Sequence, residues 1–243
     1  MENNFETLTI RPIAYMHSAF PTKFGIPRQG DVVKEIKGTI VFEKEFRKEG
    51  ILRGLEDFSH IWLIWGFSAT EGDWSPLVRP PKLGGNEKKG VFASRSPNRP
   101  NPLGLSAVRI VEIRNDKQNG LVIDVSGTDL MDMTPIYDIK PYIPYADSIK
   151  DAKTGFAIAP NAFLETVIPE QWASMLSEED LKIIAKILAD DPRPGYQHDP
   201  TREYGFFYQN FNIRFKVEDE RVAIVTEIEK IVPNKKGFIK ADY

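Results

Sequence analysis

From Leu8 to about residue 145, short runs of β-branched and aromatic residues recur between Gly, Pro, Asn and Asp, and no helical pattern of ten or more residues separates them. Parallel strands of a repeated βαβ unit need such a helix as their crossover, so this part of the chain is confined to a mostly antiparallel barrel or sandwich. The strand candidates are residues 8–13, 38–43, 60–67, 90–93, 105–113 and 121–125. In residues 60–67, Ile61, Leu63, Trp65 and Phe67 alternate with Trp62, Ile64 and Gly66, so both faces are apolar and the strand is expected to be central and covered on both sides. In residues 121–125, Leu121, Ile123 and Val125 alternate with Val122, Asp124 and Ser126, which fits a strand with one wetter face.

The pattern changes after Pro169. Ser177, with Asp180 three residues on, forms an acidic variant of a capping box, and Leu181, Ile184, Ala185 and Leu188 follow at helical spacing. Pro192 and Pro194 end that helix by Asp191. Phe211, Ile213, Phe215 and Val217 then alternate with polar residues, and residues 218–221 turn the chain into an apolar run at 222–228, a half-exposed hairpin. The expected fold class is therefore mostly β with an α+β end: a non-Rossmann β-barrel domain over residues 1–150 and a small α+β domain over 151–243, divided within residues 147–159.

Composition narrows the chemistry. The chain has no cysteine and three histidines, His17, His60 and His198, none spaced as a ligand pair, so thiol catalysis, disulfides and a metal centre are not expected. The apolar run at 61–67 is too short to cross a bilayer, and the start MENNFETLTI lacks the basic and apolar regions of a signal peptide, so a cytoplasmic protein is expected. The net charge of −3 conceals an uneven distribution: residues 75–109 carry Arg79, Lys82, Lys88, Lys89, Arg95, Arg99 and Arg109 against Glu87 alone. Such a tract reads either as a docking surface for an anionic partner or as a solvated loop answered by acids elsewhere in space.

Three segments are rich in Pro, Gly, Arg and Asn yet lie between strands. They are residues 24–30, with Pro27, Arg28 and Gln29; residues 79–86 and 95–104, with Arg79, Lys82, Arg95, Asn98, Arg99 and Asn101; and residues 128–142, with Thr128, Asp129, Leu130, Met131, Asp132 and Asp138. Prolines reduce the entropy lost when a loop is ordered, so proline-stiffened loops bearing guanidiniums and carboxamides make a preorganised polar surface. Arginine suits phosphate or a stacked base, and Asn or Gln suits a nucleobase edge. Asp129 and Asp132 follow a strand and are candidates to remove a proton, while Asp138 is placed to pair with Lys140. No Walker loop, G-x-G-x-x-G fingerprint or serine nucleophile elbow is present, and His60 reads as a partly buried strand residue.

The segments Phe24-Gly25-Ile26-Pro27-Arg28-Gln29, Gly54-Leu55-Glu56-Asp57-Phe58-Ser59-His60-Ile61-Trp62, Val78-Arg79-Pro80-Pro81-Lys82-Leu83-Gly84-Gly85, Gly90-Val91-Phe92-Ala93-Ser94-Arg95-Ser96-Pro97-Asn98-Arg99-Pro100-Asn101-Pro102 and Asp138-Ile139-Lys140-Pro141-Tyr142 resemble the TrmO (TsaA, YaeB-like) family. The later Asp191-Pro192-Arg193-Pro194 and the strand at 211–215 resemble that family's accessory domain. The resemblance implies a β-barrel, S-adenosylmethionine-dependent tRNA methyltransferase. It implies a homodimer with the cofactor near the subunit interface, acting on N6 of N6-threonylcarbamoyladenosine beside the anticodon of threonine tRNAs. It carries cofactor contacts to Pro27, Arg28, Gln29, Arg95, Leu105 and the loop from Thr128 to Asp132. Where some members have a His-Gln pair after the Trp-rich strand, this chain has Ser68-Ala69, which weakens side-chain contact there and leaves backbone contact open.

A methyl sulfonium needs no activation as a leaving group, so positioning and removal of the N6 proton are the remaining tasks. With no thiol, a carboxylate is the leading base, and Asp129 or Asp132 is the expected one. Arg79, Lys82, Asn98, Arg99 and Asn101 are the expected tRNA contacts. Two other readings fit the basic tract: a non-catalytic RNA-binding adaptor, and a methyltransferase acting on a small molecule or a protein.

Overall fold

The computed structural model describes residues 7–70, 72–158, 163–193 and 199–232, so Pro194 and His198 lie outside the described residues. Six strands close into a barrel: β1 (Ala14–Ser18), β2 (Lys37–Phe42), β3 (His60–Gly66), β6 (Leu103–Asp116), β7 (Gly120–Ser126) and β8 (Thr134–Pro141), in the spatial order β1-β2-β7-β6-β3-β8. Every neighbouring pair is antiparallel. A ribbon of β4 (Leu77–Val78) and β5 (Lys89–Gly90) stands within the β3–β6 connection.

Alternation along the strands turns Ala14, Met16, Ile40, Ile61, Leu63, Ile123 and Ile136 into the barrel, each fully buried. A six-stranded barrel is narrow enough for such side chains to fill it, so the interior is a packed core and the ligand-binding surface must lie outside it. Truncating Leu63 or Ile136 to Ala would cost about 2–5 kcal/mol.

The strands expected at 38–43, 60–67, 105–113 and 121–125 are β2, β3, β6 and β7. Three expectations need correction. Residues 8–13 are not a strand; Pro12 has no N–H for a ladder, and pairing begins with the Ile13 amide, which donates to the Ile136 carbonyl at 2.8 Å. Within 90–93 only Gly90 is strand, and Val91–Ala93 is a 3-10 turn. The second half of the third polar segment is β8, which tolerates Pro135 near its start and carries the expected Lys140–Asp138 ion pair at 3.0 Å. The outer face of β3 is also less covered than expected, since Trp62 and Ile64 are half-buried and Tyr142, 5.4 Å from the Trp62 ring, gives partial cover.

Single helical turns α1 (Pro144–Asp147) and α2 (Glu170–Ala173) lead towards β9 and α3, and β9 (Glu165–Val167) lies between them in sequence. Helix α3 (Glu178–Ala189) packs beside a sheet ordered β10-β11-β12-β9, with β10 (Tyr204–Tyr208), β11 (Phe211–Glu218) and β12 (Val222–Lys230), β9 running parallel to β12. Ser177 caps α3 as expected, its Oγ accepting from the Asp180 amide at 3.1 Å. Asp191 then takes a left-handed φ of 49° that stops the helix just before Pro192.

The two cores are not divided cleanly at residue 150. Phe20, Val33 and Ile36, all from the β1–β2 connection, are buried in one cluster with Ile184, Leu188, Phe206, Ile213 and Phe215 of the C-terminal module. The connection that carries the first polar loop is thus anchored at both ends in C-terminal packing. Gly25 fixes the approach: its φ is +85°, and a Cβ there would meet the Phe206 ring at 2.6 Å, so no other residue fits.

Candidate active site

Beside the barrel, the end of β3 and the start of β6 meet the loops at 26–31, 68–70, 94–99 and 129–131 around a cleft of about 1020 Å³. The three polar segments, distant in sequence, converge here. Pro27, Arg28, Gln29, Ser68, Ala69, Arg95, Leu105, Asp129 and Met131 line the cleft, as do Asn98 and Arg99.

One charge-assisted bond joins two of these loops, and others brace each loop internally. Arg95 Nη1 donates to Gln29 Oε1, and Gln29 Nε2 donates to the Arg28 carbonyl. Arg99 Nη1 donates to the Ser94 carbonyl at 3.1 Å, folding the arginine-bearing loop on itself. The cleft therefore presents guanidinium and amide donors, answered by two carboxylates, the exposed Asp31 and the more enclosed Asp129.

Of the two, Asp129 is the one enclosed by the loops. Its Oδ1 is buried and has no hydrogen-bond partner among the described residues. Burial pushes the Asp129 carboxyl above the ordinary aspartate range; the Ser106 side chain, the backbone N–H groups of Asp129 and Gly30, and the charge of Arg95 pull it back. Ser106 is itself fixed, its Oγ accepting from the Trp65 indole at 3.0 Å. A buried lone acceptor is costly unless something completes it, and a raised carboxyl is a stronger base than an ordinary one.

Other expected residues fall elsewhere. Thr128 and Leu130 are buried beneath the loop, Leu130 in the barrel core, and Thr128 Oγ1 accepts from the Leu130 amide at 3.3 Å. Asp132 is not among the residues lining the cleft: its Oδ1 accepts from the Ser18 amide at 3.1 Å and sits 3.4 Å from His17 Nδ1, tying the loop to the end of β1. Arg79 and Asn101 are exposed outside the cleft, and the Lys82 side chain lies outside the described residues. Trp65, Phe67, Ser106 and Thr134 line the cleft without having been singled out by sequence. Trp65 and Phe67 looked like core, and a lone Ser106 inside an apolar strand was the available signal. Among the described residues no group of three or more His, Asp or Glu could hold a metal ion, and no helix is long and apolar enough to cross a membrane.

A closed antiparallel barrel with a polar, guanidinium-lined cleft outside it and a half-buried carboxylate within that cleft defines a non-Rossmann class of polar-ligand proteins. A family model described as the tRNA-methyltransferase O N-terminal domain matches residues 15–148, and the TrmO C-terminal domain matches residues 164–231. The chain belongs to the TrmO family of tRNA methyltransferases. It is 37% identical to the tRNA (adenine(37)-N6)-methyltransferase of Escherichia coli K12 over 217 residues, which is 85% of this chain and 92% of that one. It is 44% identical over 167 residues to the protein of the same name from Eikenella corrodens, covering 66% of this chain and 92% of the other. A crystal structure of TrmO from Pseudomonas aeruginosa superposes with a TM-score of 0.76 at 32% identity, covering 94% of this chain and all of the other.

Proposed function

We propose that the protein transfers a methyl group from S-adenosylmethionine to N6 of an adenine in tRNA, and that its substrate is N6-threonylcarbamoyladenosine beside the anticodon of threonine tRNA. Two relatives are named as S-adenosylmethionine-dependent or -binding proteins, at 40% identity over 82% and 60% of this chain. The observation that carries the reading is Asp129, a half-buried carboxylate whose Oδ1 is buried and unpartnered in a donor-rich cleft.

The cleft fits that cofactor by the chemistry of its donors. Arg28 and Arg95 match a carboxylate, Gln29 a polar edge, Pro27 and Leu105 an adenine face, and the orphaned Asp129 oxygen a cationic centre. Met131 joins Leu105 in the apolar lining, and Ser68 and Ala69, short as they are, would contact it through the backbone. Thr128 and Leu130 set the loop from below. When bound, the cofactor supplies a methyl group on a sulfonium that leaves without activation. Asp129 accepts the N6 proton, its basicity raised by burial and trimmed by Ser106 and Arg95. Asp132 holds the loop to Ser18. Arg99 and Asn98 at the rim, with Arg79, Lys82 and Asn101 beyond it, contact the anticodon loop, the arginines and lysine through phosphates or the threonyl carboxylate.

Leu103 and Leu105, which line the cleft yet remain 38% and 56% accessible, support a homodimer that closes there. We take residues 1–150 as the catalytic domain and 151–243 as the accessory one, in a protein that works in the cytoplasm.

The test is transfer of label from methyl-labelled S-adenosylmethionine to tRNA with and without the threonylcarbamoyl group. Label appearing in the modified adenosine alone is the expected result. Failure of both transfer and cofactor binding, with salt-dependent tRNA binding intact, would replace this reading by the RNA-binding adaptor.

A further inference from the structure

The Arg28 side chain, on the lip of the cleft, does not end in its own domain. Its Nη2 donates to the carbonyl of Arg193 at 2.9 Å and to that of Asp191 at 3.3 Å, both in the segment that follows α3. Those carbonyls are aimed by a further pair. The Arg193 side chain, only 5% exposed, is locked to Asp191 by two parallel bonds, Nε to Oδ1 and Nη2 to Oδ2, each 2.8 Å. Asp191 itself sits at the left-handed φ that reverses the chain. From Arg28 the connection continues into the cleft, since its carbonyl accepts from Gln29 and Gln29 in turn accepts from Arg95.

We propose that Arg193, paired with Asp191, is a positioning residue for the cofactor cleft: it holds two backbone carbonyls at which Arg28 is anchored, and through Arg28 and Gln29 it aims Arg95. The C-terminal module thereby sets the geometry of the catalytic site without touching the reactants. A buried bidentate pair at a helix end could be explained by the helix stop alone, because Pro192 and the left-handed Asp191 already end α3. The stop, however, requires no guanidinium from residue 28, and Arg28 is an exposed side chain with water available as a partner. Its choice of two carbonyls from 163 and 165 residues away is what the positioning role explains. The inference rests on the reading of the cleft as the cofactor site.

The test is calorimetric binding of S-adenosylmethionine to full-length wild type, Arg28→Ala, Arg193→Met and the double variant, with thermal melting of each. Arg193→Met is expected to lose about tenfold in cofactor affinity, the scale of one charge-assisted hydrogen bond. Arg28→Ala, which also removes a cleft-lining guanidinium, should lose at least as much, and the double variant no more than Arg28→Ala, because Arg193 acts only through Arg28. Asp191→Asn, which tolerates the left-handed backbone and weakens the same pair, carries the test should Arg193→Met fail to fold. Undiminished affinity in a folded variant with a lowered melting temperature, or losses that add in the double variant, would overturn the proposal alone. Wild-type protein that binds no cofactor would overturn the reading of the cleft and this proposal with it.

Discussion

In the mechanism we propose, the chemistry turns on Asp129, and the desolvation of its carboxyl gives a pH dependence with a definite sign. The unfolded carboxyl titrates near pH 3.9, about the ordinary value, and the folded one higher. The folded state therefore holds the proton more tightly. The cost of the buried charge is absent below the unfolded value, grows as pH rises through the folded value, and is complete above it. Asp129→Asn should raise the melting temperature at neutral pH and leave it unchanged near pH 3, while slowing methyl transfer by about 10²–10⁴-fold. Ser106→Ala removes a group that favours the charged form, so the acid limb of the pH–rate profile should move to higher pH; a limb that stays in place would separate Ser106 from the base. Asp129 was legible in sequence as a carboxylate following a strand. Asp132, three residues on, looked equivalent, and only the register of β1 shows that it is taken up by Ser18.

At the scale of elements, the β3–β6 pair is the frame of the cleft, and its tightest point is Gly104 opposite Trp65. A Cβ at Gly104 would meet the Trp65 indole at 2.3 Å, and that indole is what holds Ser106. Gly104→Ala is expected to cost about 1–3 kcal/mol in denaturant titration by overpacking, and to lower methyl transfer through the displaced indole. The basic ribbon yields a different signature: Arg79→Ala, on an exposed residue outside the cleft, should weaken tRNA binding, lower its salt slope by about one, and leave cofactor affinity unchanged. Strands β2, β6 and β7 were readable because one face is sealed in the barrel, and β3 because its run is apolar on both faces. β8 was hidden by Pro135, Asp138 and Pro141, whose composition resembles a loop although the neighbours on either side, β1 and β3, complete its pairing. Trp65 and Phe67 were readable as apolar, but not as cleft wall, because the alternation that marks a strand cannot say which end of it stays open.

Over the whole molecule, the C-terminal module contributes core to the β1–β2 connection and hydrogen bonds to its arginine, a pairing across more than 160 residues that local pattern does not encode. The charge distribution was legible, and it matters more than the net charge of −3, because Arg95 and Arg99 of the basic tract line the cleft. Sedimentation should show a dimer, and Leu105→Glu, which places a charge on the exposed part of this cleft-lining residue, should shift the protein to monomer; a monomeric wild type would contradict the dimer. The central claim, that the protein methylates the modified adenosine of tRNA through Asp129, is tested most directly by nucleoside mass analysis of tRNA from cells lacking the protein and complemented with wild type or Asp129→Asn. The account predicts that the N6-methylated nucleoside disappears, its unmethylated precursor accumulates, and wild type but not Asp129→Asn restores it. Unchanged nucleosides in the deletion strain, or full restoration by Asp129→Asn, would contradict it.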